Sequence, residues 1–319
     1  MFILCVKSSH SMGMGHLFRM IYLHAALQQM GVESVLVLIG EHAPSVEWLK
    51  KSGTPHTIVT DSAVADTDWE AQLVTRFGVK LWVNDQLQTD EMHASKIKDL
   101  GLALVTFDDL GSGSKLADLQ VAALADTRGE VVAGKKVLTG VKYLILSPEI
   151  SRYRRIRLSR GSLVASFGGS DTFGVTANLV EWLSKRRMTA TLILGPGFDH
   201  EDELAGLDSD TFIVKKSVPS LAAEFSAHDL AVTGGGITAF EAAAAGLPTV
   251  TVANEPFEAG HCRYLQAIGC SVYAGQHDNV DWSILEQPFD IEKMSRAGIG
   301  AVDVDGARRV ARELVSLSG

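Results

Sequence analysis

Short, wholly apolar runs alternate with longer segments of helical spacing along the chain, and this alternation constrains the fold more than any other feature. Such runs are typical of strands buried on both faces of a parallel sheet, with crossover helices between them. In the first half we predict strands at residues 2–6, 34–39, 80–83 and 102–107, and helices at 17–30, 44–51, 68–77 and 91–100. The pattern predicts an α/β fold with parallel sheets.

The same alternation restarts after residue 161. We predict strands at 162–167, 190–194, 229–232 and 249–252, and helices at 174–185 and 238–245. The 319 residues suit two domains of roughly 150 residues each. We therefore predict two Rossmann-like domains, 1–150 and 151–319. In each domain the first strand runs directly into glycines, so two such domains facing each other would form a central cleft lined by strand carboxyl ends, where ligands bind.

The junction between the halves, residues 150–161, reads ISRYRRIRLSRG and concentrates five arginines. One interpretation is a solvated linker. The other is that some of these cations face an anionic ligand between the domains. The arginines concerned are Arg152, Arg154, Arg155, Arg157 and Arg160.

Charge and composition exclude several classes of partner. The formal net charge is −9, which disfavours binding to nucleic acid or to an anionic membrane. The apolar run at residues 2–6 is too short for a membrane span or a signal peptide. The three cysteines have no metal-site spacing, which favours reduced thiols. We expect a cytoplasmic protein with a small-molecule partner and no stable membrane insertion; the oligomeric state is open.

Four glycine-rich turns follow apolar runs: GMGH at 13–16, GGSD at 168–171, GPG at 195–197 and GGGIT at 234–238. Glycine lets a backbone approach a ligand closely, and the free N–H groups at a helix start attract anions. Each turn is weak evidence alone, because tight βα turns need glycine anyway. Four of them at strand ends predict at least one phosphate contact.

The segment GGGITAFEAAAAGLPTVTVAN, residues 234–254, is the most informative stretch. Thr238 is expected to cap the helix that opens here or to contact a phosphate. Glu241 is expected in the first turn, where the helix dipole alone would stabilise a carboxylate. The alternative is that Glu241 accepts two hydrogen bonds from a ribose diol. Gly246 and Pro248 are expected to end the helix and start a strand.

Five motifs in this order resemble the GT-B superfamily of glycosyltransferases: GMGHLFRM, FDDLG at 107–111, SFGGSD at 166–171, GGGITAFEAAAAGLP and VAN at 252–254. Within that superfamily the chain looks closest to the UDP-sugar hydrolase of the pseudaminic-acid pathway and to related spore-coat polysaccharide proteins. The resemblance spans nearly the whole chain. It implies a GT-B fold, a nucleotide-sugar substrate and a role in polysaccharide biosynthesis.

The resemblance also implies roles for individual residues. It makes His16 the residue that activates water or assists departure of the nucleotide. It places Gly168, Gly169 and Ser170 beside the nucleotide, and Asn254 near the sugar. The remaining nucleotide-site residues that it implies are Gly235, Gly236, Ile237 and Thr238 for the diphosphate and Glu241 for the ribose.

Two departures from the family pattern fall near the expected sugar pocket. The family has an Asn-Gln pair where this chain has Asn254-Glu255. The hydrolases also have an Asp-x-Tyr, whose nearest match is Asp85-Gln86-Leu87. Both changes bear on the identity of the sugar and on hydrolysis itself.

The case for His16 also stands on its residue type. A histidine at a turn can accept a proton from water or from an acceptor hydroxyl. Departure of a nucleoside diphosphate needs little acid help where amides and a helix dipole stabilise its charge. One base and one anion site would suffice, so we expect no metal and no cofactor. Gly13 and Gly15 are expected to bend the chain so that His16 faces the anomeric carbon, and Arg19 to pair with a carboxylate or support the loop.

Other polar residues are weaker candidates. His10, in the same loop as His16, favours a structural role. His261 is interpreted either as near the nucleotide or as a helix-surface residue. Asp108 and Asp109 are adjacent and point in different directions, without further ligands in sequence, so a loop or capping role is favoured over a metal site. The alternative is that one of them contacts substrate.

These observations leave a nucleotide-sugar hydrolase as the first hypothesis. The second is a GT-B glycosyltransferase that uses the same donor site with a small soluble acceptor. A nicotinamide-dependent oxidoreductase is disfavoured because Phe18 replaces the third glycine of a dinucleotide fingerprint. A non-catalytic nucleotide-sugar binding protein is disfavoured by His16.

Overall fold

The computed structural model describes residues 1–7, 14–129, 131–216 and 218–319, with Asp66 described by its backbone only. The chain divides into two compact units. Unit 1 comprises Met1–Leu146 and Asp305–Gly319, and unit 2 comprises Ser147–Val304.

Unit 1 contains a seven-stranded parallel sheet in its described part. The first strands are almost wholly buried, as expected for a sheet covered on both faces. The strands are β1 (Phe2–Lys7), β2 (Ser34–Ile39), β3 (His56–Val59), β4 (Leu81–Asp85), β5 (Ala103–Phe107), β6 (Leu119–Ala122) and β7 (Val137–Thr139). The helices are α1 (Gly15–Gln29), α2 (Ala43–Ser52), α3 (Asp61–Asp66), α4 (Trp69–Phe77), α5 (Glu91–Asp99) and α6 (Ala125–Arg128).

Unit 2 contains a six-stranded parallel sheet, again within the described residues. Its strands are β8 (Leu163–Ser166), β9 (Ala190–Leu194), β10 (Phe212–Lys216), β11 (Leu230–Gly234), β12 (Thr249–Ala253) and β13 (Ser271–Gln276). Its helices are α7 (Ile150–Tyr153), α8 (Val175–Ser184), α9 (Leu221–Ser226), α10 (Ile237–Ala244), α11 (Glu258–Ala267) and α12 (Ile291–Ala301). The predicted α/β class and paired Rossmann-like domains are confirmed.

Both sheets have the same order when each is counted from its own first strand: 3-2-1-4-5-6, with one further strand in unit 1. This is the order of the Rossmann fold. The direction of winding reverses between β1 and β4 in unit 1, and between β8 and β11 in unit 2. Ligands of open α/β sheets bind at the carboxyl ends of such a pair of strands, and we call each of these places a switch point.

The last helix, α13 (Gly306–Ser318), belongs to unit 1, although the sequence-based division at residue 150 put it with the second half. Its buried side chains, Val310, Ala311 and Leu314, join the core that includes Leu23 and Leu27 of α1. An amphipathic pattern shows that a helix has an apolar face, but it does not show which core covers that face.

The arginine-rich segment, residues 150–161, belongs to unit 2 and is held there by hydrogen bonds to backbone carbonyl groups. Arg157 is fully buried and donates to the carbonyl oxygens of Phe225 (2.7 Å), His228 (3.2 Å) and Arg155 (3.0 Å), and to that of Ala245. Burial lowers its pKa to about 10. Arg157 therefore has a structural role. Neither interpretation of the segment, as a solvated linker or as a source of cations that face an anionic ligand, describes this residue.

In the described ranges, no helix has the length and apolar character needed to cross a bilayer. The three cysteines are buried and carry free thiols.

Candidate active site

The switch point of unit 1 carries a cluster of charged side chains. His16 lies at the start of α1, the helix that follows β1, and Asp85 is the last residue of β4. Because β1 and β4 are neighbours in the sheet, residues 69 positions apart meet at one edge. The His16 Nδ1 atom lies 2.7 Å from Asp85 Oδ1.

This contact fixes the histidine tautomer. An ionised carboxylate only accepts hydrogen bonds, so His16 Nδ1 carries the proton and donates it to Asp85. The Nε2 atom then holds the free lone pair, and it has no partner among the described residues. A histidine held in this way can take a proton at Nε2, while the adjacent carboxylate stabilises the imidazolium that forms.

Arg19 holds Asp85 in its ionised form. Its Nε atom donates to Asp85 Oδ2 at 2.8 Å, and Nη2 approaches Asp85 Oδ1 at 2.5 Å. Asp85 is fully buried, which by itself would raise its pKa, but Arg19 and His16 together lower the pKa to about 2. The pairing also opposes the effect of burial on Arg19, whose pKa is raised by Asp85 and Asp108.

Asp108 is the outer member of the cluster. It makes a short ion pair with Arg19 and lies 3.8 Å from Arg128. Its φ of 46° is in the left-handed region, as is that of Leu87 (62°), two residues after Asp85. Such angles cost free energy in a residue with a side chain and are concentrated at functional sites.

Asp109 has the structural role favoured by the sequence. It is fully buried and accepts hydrogen bonds from the backbone N–H groups of Thr89 (3.0 Å) and Gly111 (2.8 Å). Gly15 is the first residue of α1, and space is open beside its Cα. Gly13 and His10, both named from the sequence, lie outside the described residues.

The switch point of unit 2 is built from glycine turns at the ends of β8 and β11. Gly168 has a φ of 84°, and neither it nor Gly169 has an atom within 4 Å of the place where a Cβ would lie. Gly195 packs closely against this turn, and only a glycine fits there because a Cβ at residue 195 would lie 2.3 Å from the Gly168 carbonyl oxygen. Ser170 is exposed and its hydroxyl lies 3.3 Å from that of Thr172.

The second turn, Gly234–Gly236, leads into α10. Gly236 is the N-cap of this helix and Ile237 its exposed first residue, so Thr238 is the second helical residue rather than the cap. Asn254 follows β12 and is buried, with its side-chain nitrogen 3.2 Å from the ideal Cβ position of Gly234. Its Oδ1 atom has no hydrogen-bond partner in the described part of the chain.

Glu241 is the fifth residue of α10, just beyond the first turn in which the sequence placed it. Its carboxylate has no hydrogen bond or ion pair with any described residue. Burial raises the pKa of this carboxyl to about 7. Ionising a partly buried acid that has no partner costs free energy. A ligand that donates hydrogen bonds to this carboxylate would lower that cost.

Glu258, the first residue of α11, was not singled out from the sequence. Its Oε2 atom accepts a hydrogen bond from the Asn254 backbone N–H at 2.8 Å. A Cβ at Gly236 would lie 3.0 Å from Glu258 Oε1, and one at Gly235 would lie 2.9 Å from Glu258 Cβ. His261, one turn further along α11, is buried and contacts the Gly235 carbonyl oxygen at 2.9 Å.

Comparison with known proteins gives one sequence relative and several similar structures. No protein-family model matches the chain. An uncharacterized protein of Methanocaldococcus jannaschii is 28% identical over 267 residues, which are 76% of this chain and 54% of the relative. The chain thus spans about half the length of that relative.

Among solved structures, the chain is similar to MurG of Acinetobacter baumannii, with a TM-score of 0.70 and 14% identity over 99% of both chains. It is similar to the glycosyltransferase SnogD from Streptomyces nogalater, with a TM-score of 0.63 and 14% identity over 100% of this chain and 99% of the other. It is also similar to the glycosyltransferase VinC in complex with dTDP, with a TM-score of 0.61 and 15% identity over 100% and 99%.

These structures define the fold. The chain has the GT-B glycosyltransferase fold, with one Rossmann-like unit of seven parallel strands and one of six. At such low identity the likeness extends to the fold alone, and chemistry has to be argued from the residues at the two switch points.

Proposed function

We propose that this protein cleaves a nucleotide sugar, with unit 2 binding the nucleotide and His16 of unit 1 acting as the base. The observation that carries the proposal is the His16–Asp85 pair, which leaves Nε2 as a proton acceptor at the edge of the sheet. His16 activates water or the hydroxyl group of an acceptor, which attacks the anomeric carbon of the sugar, and the nucleoside diphosphate departs. The attacking oxygen bonds to the anomeric carbon, the bond from that carbon to the diphosphate oxygen breaks, and His16 accepts the proton of the attacking hydroxyl.

The nucleotide assignment rests on unit 2. The turn at Gly168–Gly169 is open, and α10 presents its N-terminus at the neighbouring strand, a combination that favours anions. Gly235, Gly236, Ile237 and Thr238 are assigned to the diphosphate. Glu241 is assigned to the ribose diol because its carboxylate has no partner among the described residues. VinC, which shares the fold, was solved with a nucleoside diphosphate.

Two acceptors fit the same base. Water would make the protein a nucleotide-sugar hydrolase, the activity implied by the motif resemblance, and UDP would be the leaving group. A small soluble hydroxyl compound would make it a glycosyltransferase. The second possibility is favoured by the solved structures of the same fold, which include glycosyltransferases, and by Leu87, which replaces the hydrolase tyrosine.

One experiment separates these possibilities. Release of nucleoside diphosphate from a panel of UDP- and dTDP-sugars is followed first without acceptor and then with a mixture of small alcohols and sugars. Release without acceptor supports hydrolysis, and release only after acceptor addition supports transfer. Calorimetry with UDP and dTDP is run in parallel. Tight nucleotide binding without turnover in either arm would overturn the enzyme proposal.

A further inference from the structure

The glycine turn of unit 2 already holds an anion from the protein itself. The Glu258 carboxylate lies against Gly236 and accepts a hydrogen bond from the Asn254 backbone N–H at 2.8 Å. The backbone amides of Glu255 and Gly235 also favour its ionised form. Part of the amide surface that the proposed function assigns to a diphosphate is therefore in contact with a carboxylate.

The glycines of this turn are explained by the same contact. A Cβ at Gly235 would lie 2.6 Å from the Cys262 Sγ atom as well as 2.9 Å from Glu258 Cβ. A Cβ at Gly236 would approach the Glu258 carboxylate itself. Gly235 and Gly236 thus allow the first turn of α11 to pack against the turn, and Glu258 is held there by packing as well as by hydrogen bonds.

A diphosphate bound at this turn would bring two or three negative charges close to Glu258. Like charges in a partly buried site repel strongly, because solvent screens them less than at the surface. Protonation of the acid removes that repulsion and converts an acceptor into a donor that a phosphate oxygen can use. Burial already raises the pKa of Glu258, so protonation on binding takes less free energy than for an exposed glutamate.

We propose that Glu258 competes with the nucleoside diphosphate at the glycine turn, so that nucleotide binding is coupled to uptake of one proton by Glu258. The inference rests on the proposed function, because it takes the ligand of this turn to be a nucleoside diphosphate. The affinity of the enzyme for its nucleotide product then depends on pH through Glu258, a residue that the motif resemblance does not include.

Four other ionisable groups bear on the proton balance, and one of them, His261, contacts the Gly235 carbonyl oxygen at 2.9 Å and is unchanged in every variant used below. Glu255, on the same loop, adds negative charge and raises the pKa of Glu258. Cys262 packs against Gly235, and burial raises the pKa of its thiol to about 12, so it stays protonated. Glu241 belongs to α10, and hydrogen bonds from a ribose would favour its ionised form and release a proton. The contribution of Glu258 is therefore the difference between wild type and a variant that lacks only Glu258.

The test is calorimetric titration with UDP and with dTDP in two buffers of different ionisation enthalpy. It is run between about pH 7.5 and 9, where the terminal phosphate of the free nucleotide is ionised. Glu258→Gln keeps the shape and an acceptor oxygen, and Glu255→Gln is the matched control on the same loop. Thermal melting checks that both variants are folded.

We expect Glu258→Gln to bind the nucleotide about tenfold more tightly at the upper end of this range. Its proton uptake should be about one less than that of wild type, and Glu255→Gln should remain within about threefold of wild type with unchanged proton uptake. Equal affinities and proton numbers for wild type and Glu258→Gln would overturn this inference and leave the proposed function standing. Failure of all three proteins to bind either nucleotide would overturn both.

Discussion

The two switch points occupy the same place in the same topology and carry opposite chemistry. In unit 1 the side chains are paired: His16, Arg19, Asp85 and Asp108 form one connected set of hydrogen bonds and ion pairs. In unit 2 the turns are glycine-rich, and Glu241 has no partner in the described ranges. The fold supplies the position of a site, and the residues placed there decide what the site can do.

The contrast is also electrostatic. Asp85 is buried beside Arg19 and His16, which lower its pKa to about 2. Glu241 is partly buried without such a partner, and burial raises its pKa to about 7. A paired set of this kind suits proton transfer, because the base is oriented before substrate arrives. An acid without a hydrogen-bond partner suits binding, because a ligand can supply the missing donors.

The largest expected effect comes from removing the proposed base, His16. His16→Ala should lower kcat by about 10²- to 10⁴-fold while UDP affinity stays within about twofold, because the nucleotide is assigned to the other switch point. The measurement is steady-state diphosphate release together with calorimetry. His56→Ala, on the short strand β3 of the same unit, is the matched control and should leave both quantities unchanged. Loss of UDP binding in His16→Ala would contradict the proposed division of roles between the units.

A second prediction concerns acid stability of unit 1. A carboxyl whose pKa is lowered by folding stabilises the protein above its unfolded pKa, and this stabilisation is lost as the pH falls. For Asp85, with a pKa of about 2, we expect a loss of about 2 kcal/mol between about pH 4 and pH 2. Asp85→Asn should remove that dependence and destabilise unit 1 at neutral pH. Urea unfolding with hydrogen exchange of peptides from each unit measures both, and an unchanged acid dependence in the variant would contradict the assignment.

The third prediction has the opposite sign and concerns unit 2. A carboxyl whose pKa is raised by folding destabilises the protein as the pH rises from the unfolded towards the folded value. For Glu241 that window is about pH 4.5 to 7. Glu241→Gln should therefore stabilise unit 2 at pH 8 by about 1–3 kcal/mol while weakening UDP binding about tenfold. Melting curves and calorimetry test this, and equal stability of the two proteins at pH 8 would show that the acid has a partner.

Much of the fold could be predicted because buried parallel strands are continuous apolar runs. The eight predicted strands match β1, β2, β4, β5, β8, β9, β11 and β12 to within one or two residues. Two of the five described strands that were missed, β10 and β7, lack that signal. β10 is largely exposed and contains two lysines, and β7 has three residues only. Lateral hydrogen bonding to a neighbouring strand is what makes such segments extended, and it is not visible locally.

The candidate site was predictable in part for a similar reason. His16 and Glu241 stand in recognisable local motifs. Asp85 was noticed only as a departure from a family pattern, because its partner is 69 residues away. The available signal was a polar residue at the end of an apolar run, on a strand that the Rossmann order places beside β1. The sequence signal for Glu258 was weaker, since an acid in the first turn of a helix is also expected from the helix dipole alone.

The return of α13 to unit 1 bears on how the chain folds during synthesis. Domains generally fold as they leave the ribosome, so the unit made first is usually completed first. Here unit 2 is a continuous stretch, whereas the core of unit 1 needs Val310 and Leu314, which are made after all of unit 2. The part of the chain that carries His16 therefore begins its synthesis first and completes its core last. Until then the apolar side of α1 has no cover from this helix, so this interval is when a nascent chain would most depend on a chaperone.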